Sequence, residues 1–297
     1  MTLRFLSVTS KVSVLLACMT SFNIALAEPV TFSDVESLAP SLPHSSFNYG
    51  AAPENKLLRI GAMEPSPASA DSSATQPKSA VLAPIVLIHG GCWSNAYSVE
   101  HTLPMAEALS GEGYTVWTTE YRRVGDAGGG WPGSLDDIKA AIRYVHQRSG
   151  RPPVLVGHSA GGHLALKAAE EASLGIQGVV ALAPITDLVS YGAEPGGCQS
   201  MVPKFMGDTE YQPNERYREA SVDVSRLAVP VRIVIGREDP IVSMAQVISF
   251  PQASIVIMPA AGHFDLIHPK TDAFQTVVEQ IKDLVETRRM TAGHDDP

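Results

Sequence analysis

Cysteine, aromatic and charged residues are all scarce in this chain, and each shortage excludes something. Three cysteines in 297 residues are too few for a disulfide-built scaffold, and none forms the Cys-x-x-Cys pair of a structural zinc site. No His-Glu-x-x-His occurs, and His89, His158 and His163 have a spacing that fits no common metal site, so neither metal nor cofactor is expected. Basic residues are outnumbered, with Lys+Arg 22 against Asp+Glu 31 and a net charge of −9. Without a Lys/Arg cluster, such a chain is a poor candidate for electrostatic binding of nucleic acid or anionic lipid. Charged residues make up 18% and apolar residues 44%; a disordered chain is richer in charge and poorer in Val, Ile and Leu. The length suits one α/β domain of about 250 residues.

The start of the chain has the features of an address. Arg4 and Lys11 precede an apolar stretch, Val12–Ala27, that ends Ala25-Leu26-Ala27 before Glu28-Pro29. This pattern predicts a secretory signal peptide over 1–27, cleaved after Ala27. A membrane anchor needs about 20 predominantly apolar residues, and this run is short and broken by Ser13, Thr20, Ser21 and Asn23. Lipoprotein processing at Cys18 is the lesser alternative, because Lys11 stands too near to leave a normal apolar core. Cleavage removes Arg4, Lys11 and no acid, taking the net charge from −9 to −11. The expected destination is periplasmic or extracellular, with no stable membrane insertion. Disulfides persist there, and Cys92 and Cys198 either pair or remain two separate thiols.

From residue 28 to 290 a single domain is expected, with 291–297 a disordered tail. Glu28–Glu54 reads as a surface wrap and Pro65–Ala80 as a flexible loop. Strands are predicted at Asn55–Ala62, Val81–His89, Tyr114–Glu120, Val154–Val156, Gln177–Leu182, Val231–Ile235 and Ser254–Met258. Helical patterns lie at Val99–Gly111, Ser134–Arg148 with Ser134 as N-cap, Ala160–Ala172, Ala245–Phe250 and Thr271–Arg289. Alternation of continuous apolar strands with helices predicts an α/β fold: a mostly parallel central sheet with helices on both faces. Residues 184–226 break the alternation and read as a small lid insertion. In such sheets ligands bind outside the carboxyl ends of the strands.

The residues with chemical potential fall at those ends. Gly157-His158-Ser159-Ala160-Gly161 follows a strand and opens a helix. In a Gly-x-Ser-x-Gly turn the serine is lifted clear of a sharp, strained backbone, and the flanking glycines let strand and helix approach. A serine hydroxyl needs a base to attack at neutral pH. His263 stands after the last predicted strand. After the strand before it comes Arg237-Glu238-Asp239-Pro240, where Asp239 is preferred to Glu238 because Asp-Pro begins the turn. Ser159, Asp239 and His263 then stand in the order nucleophile, acid, base. His89-Gly90-Gly91-Cys92-Trp93 ends an earlier strand. The amides of Gly91 and Cys92, with that of Ala160, are the expected donors to an oxyanion. Trp93 either walls an acyl pocket or packs, and Trp131 in Gly128-Gly129-Gly130-Trp131-Pro132-Gly133 either touches substrate or anchors its loop. His101, His146, His44 and His294 read as surface residues.

At these residues the chain resembles the α/β-hydrolases of the esterase/lipase group with a His-Gly-Gly-x-Trp loop. That group includes kynurenine formamidase-like enzymes and carboxylesterases related to hormone-sensitive lipase. The likeness runs through HGGCW at 89–93, EYRR at 120–123, GGWPGSLDD at 129–137, GHSAGGHLAL at 157–166, GREDPIV at 236–242 and GHFDLI at 262–267. It departs from the group at Cys92, where Tyr or Gly is common. The resemblance implies the triad and an ester or amide substrate; with the leader, the expectation is a secreted serine hydrolase acting on carboxylic esters of small to medium acyl or aryl groups through an acyl-enzyme. An arylformamidase-type amidase using the same triad is the alternative, and a non-catalytic binding protein on this fold is a third.

Overall fold

The computed structural model describes residues 28–61, 82–248, 250 and 252–292. The expected signal peptide, the loop 65–80 and residues 293–297 of the expected disordered tail lie outside the described residues, whereas Thr291 and Ala292, expected in that tail, belong to the last helix. Eight strands make one sheet: β1 Ser45–Asn48, β2 Lys56–Ile60, β3 Ile85–Ile88, β4 Val116–Thr119, β5 Val154–His158, β6 Gly178–Leu182, β7 Val231–Gly236 and β8 Ser254–Met258. Their order across the sheet is β1-β2-β4-β3-β5-β6-β7-β8. The β1–β2 and β2–β4 pairs are antiparallel. From β4 to β8 all neighbours are parallel.

Every residue of β3, β4, β5 and β6 is buried. Successive strand side chains point to opposite faces, so both faces of the sheet centre are covered. The helices α2 Leu103–Gly111, α3 Gly133–Ser149, α4 Ala160–Ala169 and α8 Asp272–Ala292 flank the sheet, and α1 Phe32–Glu36 precedes it in the chain. α2 packs against β2 and β4, α4 against β3, β5 and β6, and α8 against β6 and β7. α3 lies on β3, β4 and α4. Its stripe of Ile138, Ala141, Ile142 and Val145 is fully buried. Burying each of the larger of these stabilises the fold by about 1.5–3 kcal/mol relative to exposure.

Several boundaries differ from expectation for local reasons. β1 lies within the expected surface wrap, because an edge strand in which only Phe47 is half-buried and the other three residues are exposed carries no apolar alternation. Ser134 is not the N-cap of α3, which is Pro132. The Ser134 hydroxyl instead donates to the Arg122 carbonyl at 2.6 Å and accepts from the Gly130 amide at 3.1 Å, locking the loop ahead of the helix. The helical stretch expected at Ala245–Phe250 is only a 3-10 turn, Met244–Gln246. The insertion between β6 and β7 holds α5 Leu188–Ala193, α6 Val202–Phe205 and α7 Glu215–Ala220. Its Tyr191, Phe205 and Tyr217 are fully buried, so it packs into the core rather than lying on it as a loose flap.

Candidate active site

Ser159 sits between β5 and α4 with φ 57° and ψ −120°, a backbone region that non-glycine residues rarely occupy. Close packing enforces the turn. A Cβ on Gly157 would lie 2.4 Å from the Gly161 carbonyl oxygen, and one on Gly161 would lie 2.2 Å from that of Ile88. Both positions therefore have room only for hydrogen, and the serine between them is held at the mouth of the sheet.

Two other loops meet it there. After β7, Asp239 turns back on its own chain, its Oδ1 accepting from the amides of Ile241 at 2.8 Å and Val242 at 2.9 Å. Its Oδ2 faces His263 Nδ1 at 2.7 Å. Glu238, the rival acid, is exposed. Ser159 and His263 line one cavity of about 100 Å³. Phe32, Tyr97, His101, Ile241 and Phe264 form its apolar and aromatic sides, with Gly91, Cys92 and His158 completing it.

His158 steadies His263 from behind. Its Nε2 donates to the His263 carbonyl at 3.0 Å, and the two rings lie 4.4 Å apart. Burial, then the neighbouring His263 and His101, push the His158 imidazole well below its ordinary value. A neutral His158 thus stands beside His263.

The third loop follows β3. Gly91, Cys92 and Trp93 all have positive φ, at 101°, 52° and 56°. Among the described residues the amides of Gly91, Cys92 and Ala160 meet no backbone acceptor, leaving them available as donors. The loop passes directly over the serine: a Cβ on Gly90 would stand 3.1 Å from Ser159 Cβ. His89 anchors it through Nε2 to Glu120 Oε1 at 2.8 Å, and Tyr121 stacks on His89 at 4.5 Å while its hydroxyl donates to the His89 carbonyl. Burial pushes the Glu120 carboxyl up. His89, Arg123 and the Val99 amide outweigh that and hold it below the usual range. A disulfide joins Cys92 to Cys198, with Cα atoms 5.2 Å apart.

Neither tryptophan expected to touch substrate reaches the cavity. Trp93 is fully buried, stacked on Phe205 at 4.6 Å with Nε1 donating to His163 Nδ1 at 3.2 Å. The left-handed turn directs it inward. Trp131 lines a separate hollow with Asp136, Lys167 and Glu170, its ring 6.3 Å from that of Phe205. His163 bridges Trp93 and the Ala220 carbonyl, and burial lowers it to about 4. His101, expected at the surface, is buried on the cavity wall, and burial with nearby His89 lowers it to about 3.

Phe32, on α1, is the largest surprise. It packs on Tyr97 at 5.3 Å, Phe264 at 5.5 Å and His101 at 5.6 Å. Asp265 Oδ2 holds its segment by accepting from the amides of Val30 at 3.0 Å and Gly262 at 2.9 Å. No local signal marked Phe32, since its neighbours lie more than 60 residues away. Among the described residues no cluster of three or more His, Cys, Asp or Glu side chains has metal-binding geometry, and no helix is long and apolar enough to cross a membrane.

Comparison with known proteins gives a consistent picture. A family model described as BD-FAE matches residues 74–253. The human protein ABHD12B is 30% identical over 171 residues, 52% of this chain and 45% of that protein, so the match spans less than half of this relative. Among solved structures, a hormone-sensitive-lipase homologue, EstE7 from a metagenome library, superposes with TM-score 0.65 at 19% identity, over 86% of this chain and 90% of that one. A bifunctional GH43-CE protein of Bacteroides eggerthii gives TM-score 0.63 at 17% identity, covering 81% of this chain and 37% of that one. The fold is that of the α/β-hydrolases, a mostly parallel sheet with helices.

Proposed function

From the premise that this chain belongs to the BD-FAE family, we propose that it is an exported serine hydrolase that cleaves carboxylic esters. The carrying observation is the His263 Nδ1 to Asp239 Oδ2 contact at 2.7 Å, on the cavity that Ser159 also lines.

The chemistry follows from the parts. His263 Nε2 takes the proton of the Ser159 hydroxyl as its oxygen attacks the ester carbonyl carbon. Asp239 fixes the tautomer that keeps Nε2 free and stabilises the imidazolium formed. The carbonyl oxygen becomes an oxyanion and accepts from the amides of Gly91 or Cys92 and of Ala160, donors that need no reorganisation. His263 then protonates the leaving alcohol. Water, deprotonated by the same ring, releases the acid from Ser159. The small cavity supports short acyl groups. Export is supported by the Cys92–Cys198 bond, since such bonds persist in oxidising compartments.

The test is turnover of p-nitrophenyl esters with covalent labelling by a fluorophosphonate. Ser159→Ala is expected to abolish both while keeping the native circular dichroism spectrum. Wild-type rates in that variant would overturn the assignment, and an unlabelled wild type would favour a non-catalytic binding role. A strong preference for N-formylkynurenine over acetate esters would move the reading to an amidase.

A further inference from the structure

The disulfide between Cys92 and Cys198 spans 106 residues of sequence and ends inside the catalytic cavity, which Cys92 lines. Cys198 is buried just ahead of the 3-10 turn Gln199–Met201. The same segment also grips the acid loop. The buried Gln199 donates through Nε2 to the Ile241 carbonyl at 3.0 Å, and the Tyr191 hydroxyl donates to that carbonyl at 3.1 Å. Ile241 in turn gives its amide to Asp239. One segment outside the sheet, 191–199, thus holds two loops of the site: the oxyanion turn covalently and the acid turn by hydrogen bonds.

The oxyanion turn needs such a hold. Three consecutive positive-φ residues, 91–93, are a conformation that persists only where the surroundings over-determine it. His89 and Trp93 are fixed at its two ends by Glu120 and His163. Between them, the Cys92 side chain has one covalent restraint, and it comes from Cys198.

We propose that Cys198 is a positioning residue: its bond to Cys92 keeps the oxyanion amides aimed at the cavity, so that full turnover requires the oxidised pair. The inference rests on the serine-hydrolase reading. Opening the bond with a water-soluble phosphine breaks S–S and leaves two thiols. The phosphine gives two electrons and becomes its oxide, water supplying the oxygen and both protons.

A mere staple and a positioning bond differ in what they change. Loss of a staple lowers the melting temperature and, below it, leaves the kinetic constants alone. Loss of oxyanion geometry lowers kcat with little effect on KM, because the oxyanion exists only beyond the ground state. The experiment compares oxidised wild type, phosphine-reduced wild type, reoxidised wild type and Cys198→Ala. Each is assayed on p-nitrophenyl acetate at least ten degrees (order of magnitude, to stay below the transition) under its own melting temperature. The expected result is a fall in kcat of about 10-fold or more, reaching at most the roughly 10²- to 10³-fold of a lost oxyanion donor. KM stays within about threefold, reoxidation restores wild type, and phosphine leaves Cys198→Ala unchanged. A kcat within about twofold of wild type in reduced protein, or a change confined to KM or to melting temperature, overturns the proposal. If oxidised wild type neither turns over esters nor takes the fluorophosphonate, the hydrolase reading fails and carries the proposal with it.

Discussion

His263 Nδ1 meets Asp239 Oδ2 at 2.7 Å, with the two side chains 3% and 1% exposed. The other Asp239 oxygen is taken by two backbone amides, so the carboxylate cannot rotate away from the imidazole. Asp239→Asn is expected to keep this shape while presenting an amide N–H or forcing the wrong tautomer. Steady-state kinetics should show kcat lowered by about 10⁴-fold, the scale of a triad carboxylate changed to its amide. Glu238→Gln, at an exposed position, should leave kcat unchanged. Equal effects in the two variants would contradict this assignment of the acid.

The loop over the serine tolerates no added carbon at Gly90. A methyl group there would stand 2.9 Å from the His158 carbonyl oxygen and 3.1 Å from Ser159 Cβ. Both are parts of the strained turn and cannot yield cheaply. Gly90→Ala should therefore displace the donor amides and lower kcat by about 10²-fold, the scale of a misplacement near 1 Å. Burst kinetics with a p-nitrophenyl ester would locate the loss in acylation. An unaltered acylation rate would mean that the loop does not set the reacting geometry.

Three buried histidines make the fold acid-sensitive. Burial holds His101 at about 3 and His163 at about 4, and His158 well below 6.5. The unfolded chain binds protons at these groups near the ordinary value of 6.5, whereas the folded chain does not, so stability rises with pH across this interval. It is complete above about 6.5 and is lost progressively as pH falls towards 4. Melting temperatures at pH 7.5, 6 and 5 should decline in that order. His163→Gln, which loses one such group, should start lower and decline less steeply. A melting temperature independent of pH over this range would be inconsistent with the burial of these rings.

Phe32 stands between the Ser159 cavity and a neighbouring groove of about 600 Å³ that shares Phe32, Tyr97 and His101 as walls. Removing its ring should join the two spaces. Phe32→Ala is expected to raise the ratio of kcat/KM for p-nitrophenyl octanoate over acetate by about tenfold, the scale of added methylene contacts. An acyl-length profile identical to wild type would show that the ring does not bound the acyl site.

Much of this was legible residue by residue. The turn at Ser159 could be read because strand, glycines and helix are contiguous, and the central strands because burial on both faces leaves unbroken apolar runs such as Ile85–Ile88. The turn that Asp-Pro begins favours Asp239 over Glu238, while the contact of Asp239 with His263 arises only in the fold. β1 has no apolar alternation because its edge is exposed, and the helical pattern at Ala245–Phe250 yields only the turn Met244–Gln246. Trp93 has the chemistry of a pocket wall, but which way an indole points after three left-handed residues depends on Phe205 and His163, 112 and 70 residues further on.

The chain order of Ser159, Asp239 and His263, and the apolar periodicity that builds the sheet beneath them, can be read along the sequence. They are set by local sterics and by which side chains avoid water. The pairing of Cys92 with Cys198, the seat of Phe32 over the cavity and the burial of His101 arise only when distant segments close on one another. Those contacts are settled by packing in three dimensions, and no short-range pattern encodes them.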